Sequence, residues 1–177
     1  MNIYLVRHTT VDVPAGYAYG FTDVPLRSTF ETEAEQVRQQ LQGLDFDKVW
    51  TSPLSRCVRL ANYCGYPDAA RDPRLKEVNM GEWEMKPWDA VTSDPQSEAW
   101  FADWVNTPTP GGESLMDQYR RVSDFLNEIQ NQADLNNVCL FAHGGVLTCA
   151  RVYAGMYALK EAFKSLPAYG EVIRITL

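Results

Sequence analysis

The chain has 177 residues, 45% of them hydrophobic and 22% charged, with a formal net charge of −7. Those values suit a globular protein with one substantial core. An acidic surface does not attract nucleic acid or anionic lipid, so neither is expected as a partner, although a local basic pocket remains open.

The first element is the apolar run Ile3-Tyr4-Leu5-Val6, which reads as a short buried strand. It ends abruptly in Arg7-His8, followed by Thr9 and Thr10. A cation and an imidazole at the carboxyl end of a buried strand are costly unless they are used, and in open α/β sheets that edge binds ligands. Residues 11–27 form a loop rich in Pro, Gly and Tyr, which either serves the site or packs on its own tyrosines. Ser28 to Leu41 predicts a helix capped by Ser28 or Thr29, with Glu31, Glu33 and Glu35 early in it.

Asp47 to Thr51 predicts a second strand. Ser52 then caps a helix over Leu54 to Cys64, with Pro53 in its first turn and Arg56 close behind. A short strand is possible at Ala69–Arg71, and residues 74–84 form a loop crowded with Glu77, Glu82 and Glu84. Trp88, Trp100 and Trp104 fall in a helical excursion broken at Pro95, read as a lid over the site. After the turn Thr109-Pro110-Gly111-Gly112-Glu113-Ser114, a helix runs from Leu115 to about Gln132. It carries Leu115, Tyr119, Val122, Phe125, Leu126 and Ile129 on one stripe. Asn137 to Ala142 repeats the opening design, an apolar run ending in His143 and the small residues Gly144-Gly145. A helix from Val146 to Tyr157 and a strand from Glu171 to Leu177 complete the chain.

Strands alternating with helices predict an α/β fold: a three-layer α/β/α sandwich around a mostly parallel sheet. No repeat or linker divides the chain, so residues 1–177 are expected to form a single domain. Cys57, Cys64, Cys139 and Cys149 contain no CxxC pair, and the two histidines are poorly spaced to join them on zinc. No metal or cofactor is expected, and the cysteines read as reduced packing residues. The N-terminus lacks a basic-then-apolar signal and no stretch approaches a membrane span, so a cytoplasmic protein is expected.

Parallel strands bring Arg7-His8, Thr51-Ser52 and His143-Gly144 to one sheet edge, with Arg56 reaching in from the following helix. His8 and His143 are the only histidines of the chain. Two guanidinium groups, two imidazoles and helix N-termini make an anion site suited to phosphate. One imidazole can attack phosphorus and form a phosphohistidine, while Arg7, Arg56 and a protonated second imidazole stabilise the equatorial oxygens. Flanking arginines would keep the nucleophile neutral. The leaving alkoxide needs a proton, which Glu77, Glu82 or Glu84 could supply; physical reasoning alone does not choose among them.

Five stretches together resemble the histidine phosphatase (phosphoglycerate mutase-like) superfamily. They are Leu5-Val6-Arg7-His8, Ser52-Pro53-Leu54-Ser55-Arg56, Leu75-Lys76-Glu77 with Gly81-Glu82-Trp83-Glu84, Pro110-Gly111-Gly112-Glu113-Ser114, and Ala142-His143-Gly144-Gly145. The resemblance covers nearly the whole chain. It implies His8 as nucleophile, Glu77 as proton donor and acceptor, and Arg7, Arg56 and His143 as the phosphate pocket. It also implies Thr10, Thr22 and Gly144 as further substrate-binding positions. Glu82 and Glu84 become loop residues, and Glu113 a helix-start residue.

The family usually continues Arg-His-Gly-Glu, whereas this chain reads Arg7-His8-Thr9-Thr10. Thr9 replaces a residue with wider backbone freedom, and Thr10 replaces a carboxylate. That pair, the Tyr-x-Tyr-Gly-x-Thr-Asp-Val-Pro-Leu loop at residues 17–26 and the short chain are similar to the α-ribazole-5′-phosphate phosphatase branch, which acts in cobalamin biosynthesis. The implied activity is metal-independent hydrolysis of a small-molecule phosphate monoester through a phosphohistidine on His8. The alternatives are a broad-specificity phosphatase, a phosphoglycerate mutase-type phosphotransferase, and a non-catalytic phosphate-binding module. The short tail and lack of a large insertion favour hydrolysis over transfer.

Overall fold

Five short strands pair into one sheet whose order is β3-β2-β4-β1-β5, and its central strand, apolar at five consecutive positions, is covered on both faces. The computed structural model describes all of residues 1–177. The strands are β1 (Asn2–Arg7), β2 (Lys48–Thr51), β3 (Ala70–Arg71), β4 (Asn137–Ala142) and β5 (Val172–Thr176). Strands β1 to β4 run parallel, and β5 lies antiparallel against β1 at the edge. The helices are α1 (Phe30–Gln40), α2 (Ser55–Tyr63), α3 (Trp88–Thr92), α4 (Ser97–Ala102), α5 (Leu115–Gln130) and α6 (Gly144–Tyr153).

Alternation divides the side chains of the sheet between two cores. Ile3, Leu5, Val138 and Leu140 pack with Leu115, Val122, Phe125 and Leu126 of α5 and Val146 and Leu147 of α6. Val6, Cys139 and Phe141 face the other way, against Phe30, Ala34 and Val37 of α1 and Cys57, Leu60 and Ala61 of α2. The result is the expected helix–sheet–helix sandwich with a mostly parallel sheet. No helix is long and apolar enough to cross a membrane.

Several boundaries differ from the sequence reading, each for a local reason. No side chain caps α1: Thr29 has helical backbone angles and its hydroxyl donates instead to the Glu33 carboxylate at 2.5 Å. Helix α2 begins at Ser55, so Pro53 precedes it, and the Asp23 carboxylate accepts from the Ser55 N–H at 2.9 Å. Ser52 still accepts from the Leu54 N–H, but at 3.3 Å, because its hydroxyl is turned to His143. Helix α6 starts two residues earlier than expected, directly after His143, and ends at Tyr153. The acidic loop contains two 3-10 turns, Pro73–Leu75 and Gly81–Trp83. Another, Leu159–Ser165, follows α6. All four cysteines are free thiols.

The register sets the site. Arg7 of β1 pairs with Ala142 of β4, so His8 and His143 emerge side by side from adjacent strand ends. Thr51 of β2 pairs with Phe141, which brings Ser52 next to His143 from the other side.

Candidate active site

His8 is buried, and its Nδ1 lies 2.8 Å from the carbonyl oxygen of Thr9. A carbonyl can only accept, so Nδ1 carries the hydrogen and the Nε2 lone pair is left free. Burial first, then the Arg56 guanidinium and more weakly Arg7, push its pKa down to about 3 against the opposing Thr9 hydrogen bond. The sequence reading credited the arginines with keeping this imidazole neutral; water exclusion is the larger cause.

His143 is held in the opposite sense. Arg56 Nε donates to its Nδ1 at 3.2 Å, so Nε2 bears the hydrogen and lies 2.8 Å from Ser52 Oγ. Burial, then Arg56, then His8 hold its pKa well below the ordinary value. The expectation of a protonated His143 is therefore corrected: this ring is neutral and acts as an acceptor for a guanidinium. The two rings approach edge to face with centroids 5.1 Å apart.

Arg56 is fully buried. Its other nitrogens donate to the carbonyls of Thr22 at 2.9 Å and Gly20 at 2.7 Å. Arg7 donates to the Pro167 carbonyl and stacks on Tyr169, its guanidinium carbon 4.0 Å from the ring centroid. Neither arginine joins any ion pair of the chain. Two guanidinium charges without carboxylates, beside two neutral imidazoles, make a local positive potential in an acidic molecule.

Opposite them, half-buried Glu77 is fixed by three donors. Gln118 Nε2 and the Val78 N–H approach Oε1 at 2.8 and 3.0 Å, and the Gly145 N–H approaches Oε2 at 3.1 Å. Glycine at 145 leaves room for this carboxylate, since a Cβ there would crowd Glu77 Oε1 and displace it. Arg7, His8, Glu77 and Gly144 line one cavity of about 530 Å³. Its remaining wall is largely aromatic, with Tyr19, Trp88, Trp100, Trp104, Phe163 and Tyr169. The tryptophan segment thus does border the site.

Four expected substrate contacts lie off the cavity wall: Arg56 and His143, which are fully buried beside it, and two that engage other groups. Thr10 is outside the cavity wall, its N–H donating to Glu33 at 2.7 Å, and the Thr22 hydroxyl donates to Glu84 at 2.6 Å. Thr22 reaches the site only through its carbonyl on Arg56. Glu84 also accepts the N–H groups of Gly20, Phe21 and Met80, so it organises the aromatic loop rather than the chemistry. Glu113 pairs with Arg121 at 2.9 Å. Thr9 occupies its position without a positive φ, which among non-glycines occurs only at Met85. Sequence reasoning missed Tyr169 and Gln118 as neighbours of the site groups. Ser52, which the strand ends were expected to bring to this edge, does sit beside His143.

Comparison with known proteins bears on the family and the fold. The sequence model of the histidine phosphatase superfamily (branch 1) matches residues 3–177. The chain is 32% identical over 180 residues to the protein named "Probable phosphoglycerate mutase GpmB" of Cronobacter sakazakii, covering 97% of this chain and 78% of that one. It is 31% identical over 157 residues to the adenosylcobalamin/alpha-ribazole phosphatase of Salmonella typhimurium, covering 84% and 76%. Among solved structures, the alpha-ribazole phosphatase from Shigella flexneri superposes with a TM-score of 0.91 at 22% identity, covering 100% and 91%, and supports the fold alone. TTHB049 from Thermus thermophilus superposes with a TM-score of 0.77 at 28% identity, covering 99% and 93%. With its strand-end histidines, its two unpaired arginines and a match along almost its whole length, the chain belongs to the histidine phosphatase superfamily, branch 1, and is an enzyme of the phosphatase class.

Proposed function

We propose that the chain is a metal-independent phosphomonoesterase that works through a phosphohistidine on His8, and that its substrate is α-ribazole 5′-phosphate. The observation that carries the reading is the free Nε2 lone pair of a neutral His8 beside two arginines without carboxylate partners. In the first step Nε2 forms a bond to phosphorus in line as the P–O ester bond breaks, and the departing oxygen takes a proton from Glu77. In the second, water gives a proton to Glu77 while its oxygen attacks phosphorus, the N–P bond breaks, and neutral His8 and phosphate are released.

The remaining N–H groups of Arg7 and Arg56, with the N–H of Gly144 at the start of α6, serve the equatorial oxygens. His143 contributes by orienting Arg56. Oε1 of Glu77 already accepts two donors, so Oε2 is the oxygen with room for the exchanged proton.

The cavity bears on the leaving group. Its wall offers one guanidinium, Arg7, and two carboxylates, Glu77 and Glu113, with aromatic rings beyond. Beyond Arg7 the wall offers no second cation to receive another anionic group of the substrate, whereas a neutral planar base can stack. This favours a base-bearing monophosphate over a phosphoglycerate. The second reading, phosphoryl transfer between phosphoglycerates, draws on the name of the relative from Cronobacter sakazakii.

A panel of α-ribazole 5′-phosphate, 3-phosphoglycerate with its bisphosphate, and p-nitrophenyl phosphate, assayed in EDTA, separates the readings. Hydrolysis with the highest kcat/KM for α-ribazole 5′-phosphate is expected. Transfer to phosphoglycerate would favour the second reading, and loss of turnover in EDTA would overturn the metal-free route. His8→Ala should abolish labelling of the protein by substrate phosphate.

A further inference from the structure

Gln118 is fully buried on α5, yet only half of its amide is used. Nε2 donates to Glu77 Oε1 at 2.8 Å, while Oε1 is buried without a partner. An amide oxygen taken out of water without a donor carries a desolvation cost that a methionine of similar volume would not. The fold also makes room for this amide, since a Cβ on Gly145 would lie 2.7 Å from its oxygen. Packing alone does not account for a glutamine here.

Its orientation points to a role. A carboxylate only accepts, so the NH₂ end must face Glu77 and the carbonyl end is left over. Together with the Val78 N–H, Nε2 fills both lone pairs of Glu77 Oε1, while Oε2 receives only the Gly145 N–H. We infer that Gln118 is a positioning residue which, by holding Glu77 Oε1 as a pure acceptor, confines the exchangeable proton to Oε2. The inference rests on the reading of Glu77 as proton donor and acceptor. Without this donor the proton can reside on either oxygen, and on Oε1 it is badly placed for the leaving group.

Two variants test it. Gln118→Met should lower kcat for an alkyl phosphate about tenfold, a part of the usual general-acid contribution. For p-nitrophenyl phosphate, whose leaving group needs little protonation, the change should stay under about twofold, with KM held for both. Relief of the unpaired amide oxygen is offset by the donor that Glu77 Oε1 loses, so the variant's melting temperature should change little. Equal slowing of both substrates, slowing of neither, or a KM effect alone would overturn the inference. Gln118→Glu gives a second measurement if the first variant does not fold. The introduced carboxyl can donate to Oε1 only while protonated, so the ratio of alkyl to nitrophenyl turnover should fall with rising pH relative to the parent protein. A parent-like ratio at every pH would count against the idea. Glu77→Gln separates this from the underlying reading: equal slowing of both substrates in that variant sinks the acid role of Glu77. Discrimination by Glu77→Gln with none by Gln118→Met sinks only the role of Gln118.

Discussion

His8 and His143 are both buried and neutral, but their hydrogens sit on opposite ring nitrogens, Nδ1 in the first and Nε2 in the second. One ring is left with a free lone pair, and the other spends its lone pair on Arg56. The depressed pKa values make a prediction about stability. In the unfolded chain both imidazoles protonate below about pH 6.5, whereas in the folded state His8 resists protonation to about 3. The unfolded state therefore binds more protons in this window. The stabilisation is complete above pH 6.5 and is lost as pH falls toward the folded value, by up to ~1.4 kcal/mol per pH unit for each histidine. Urea unfolding between pH 6.5 and 5, above the range where carboxylates titrate, measures the slope, and His8→Asn should roughly halve it. An unchanged slope would show that His8 protonates as easily folded as unfolded.

At the scale of elements, α5 is what holds Glu77 in place. Arg121 donates to the carbonyls of Arg74 and Lys76 at 2.7 Å and of Glu77 at 2.8 Å, while Nε and Nη2 also engage Glu113. The helix itself starts with a reciprocal cap between Ser114 and Asp117. Arg121→Met should destabilise the protein by about 2–3 kcal/mol and lower turnover of alkyl phosphates more than of nitrophenyl phosphate, since three partly buried carbonyls lose their donor. Ser114→Ala should cost ~1 kcal/mol with kinetics unchanged, so chemical denaturation paired with kinetics distinguishes the two. The stretch after α6 works on the phosphate side. Tyr169 stacks on Arg7 and its hydroxyl lies 2.7 Å from that of Tyr19. Tyr169→Ala should raise KM about three- to thirtyfold, the range of a cation–π contact, while Tyr169→Phe keeps the stack and stays within about threefold. Equal KM values for the two variants would argue against stacking as the source.

Across the whole molecule, the groups that were legible in the sequence are those placed by a strand end. Arg7, His8 and His143 each follow an apolar run, and a parallel sheet necessarily gathers such ends at one edge. Glu77 stands in a loop among other carboxylates, and only the family likeness singled it out. Gln118 and Tyr169 carried no local signal. One reaches the site because α5 crosses over the acidic loop, and the other because the chain returns about 160 residues after Arg7. The neutrality of His143 was equally hidden, since it depends on how completely three strand ends exclude water. At α1 and α2 the expected start shifted where a capping hydroxyl found a side-chain partner instead, Thr29 on Glu33 and Ser52 on His143.

The cavity wall has one more consequence. Of the five tryptophans in the chain, Trp88, Trp100 and Trp104 border the cavity, while Trp50 and Trp83 are buried in the cores. The enzyme therefore carries its own optical reporter. A planar base stacking among these indoles should quench intrinsic fluorescence on binding, and inorganic phosphate, which has no ring, should leave it nearly unchanged. Titrating His8→Ala with each ligand would read occupancy of the leaving-group half of the site with no turnover to confuse it.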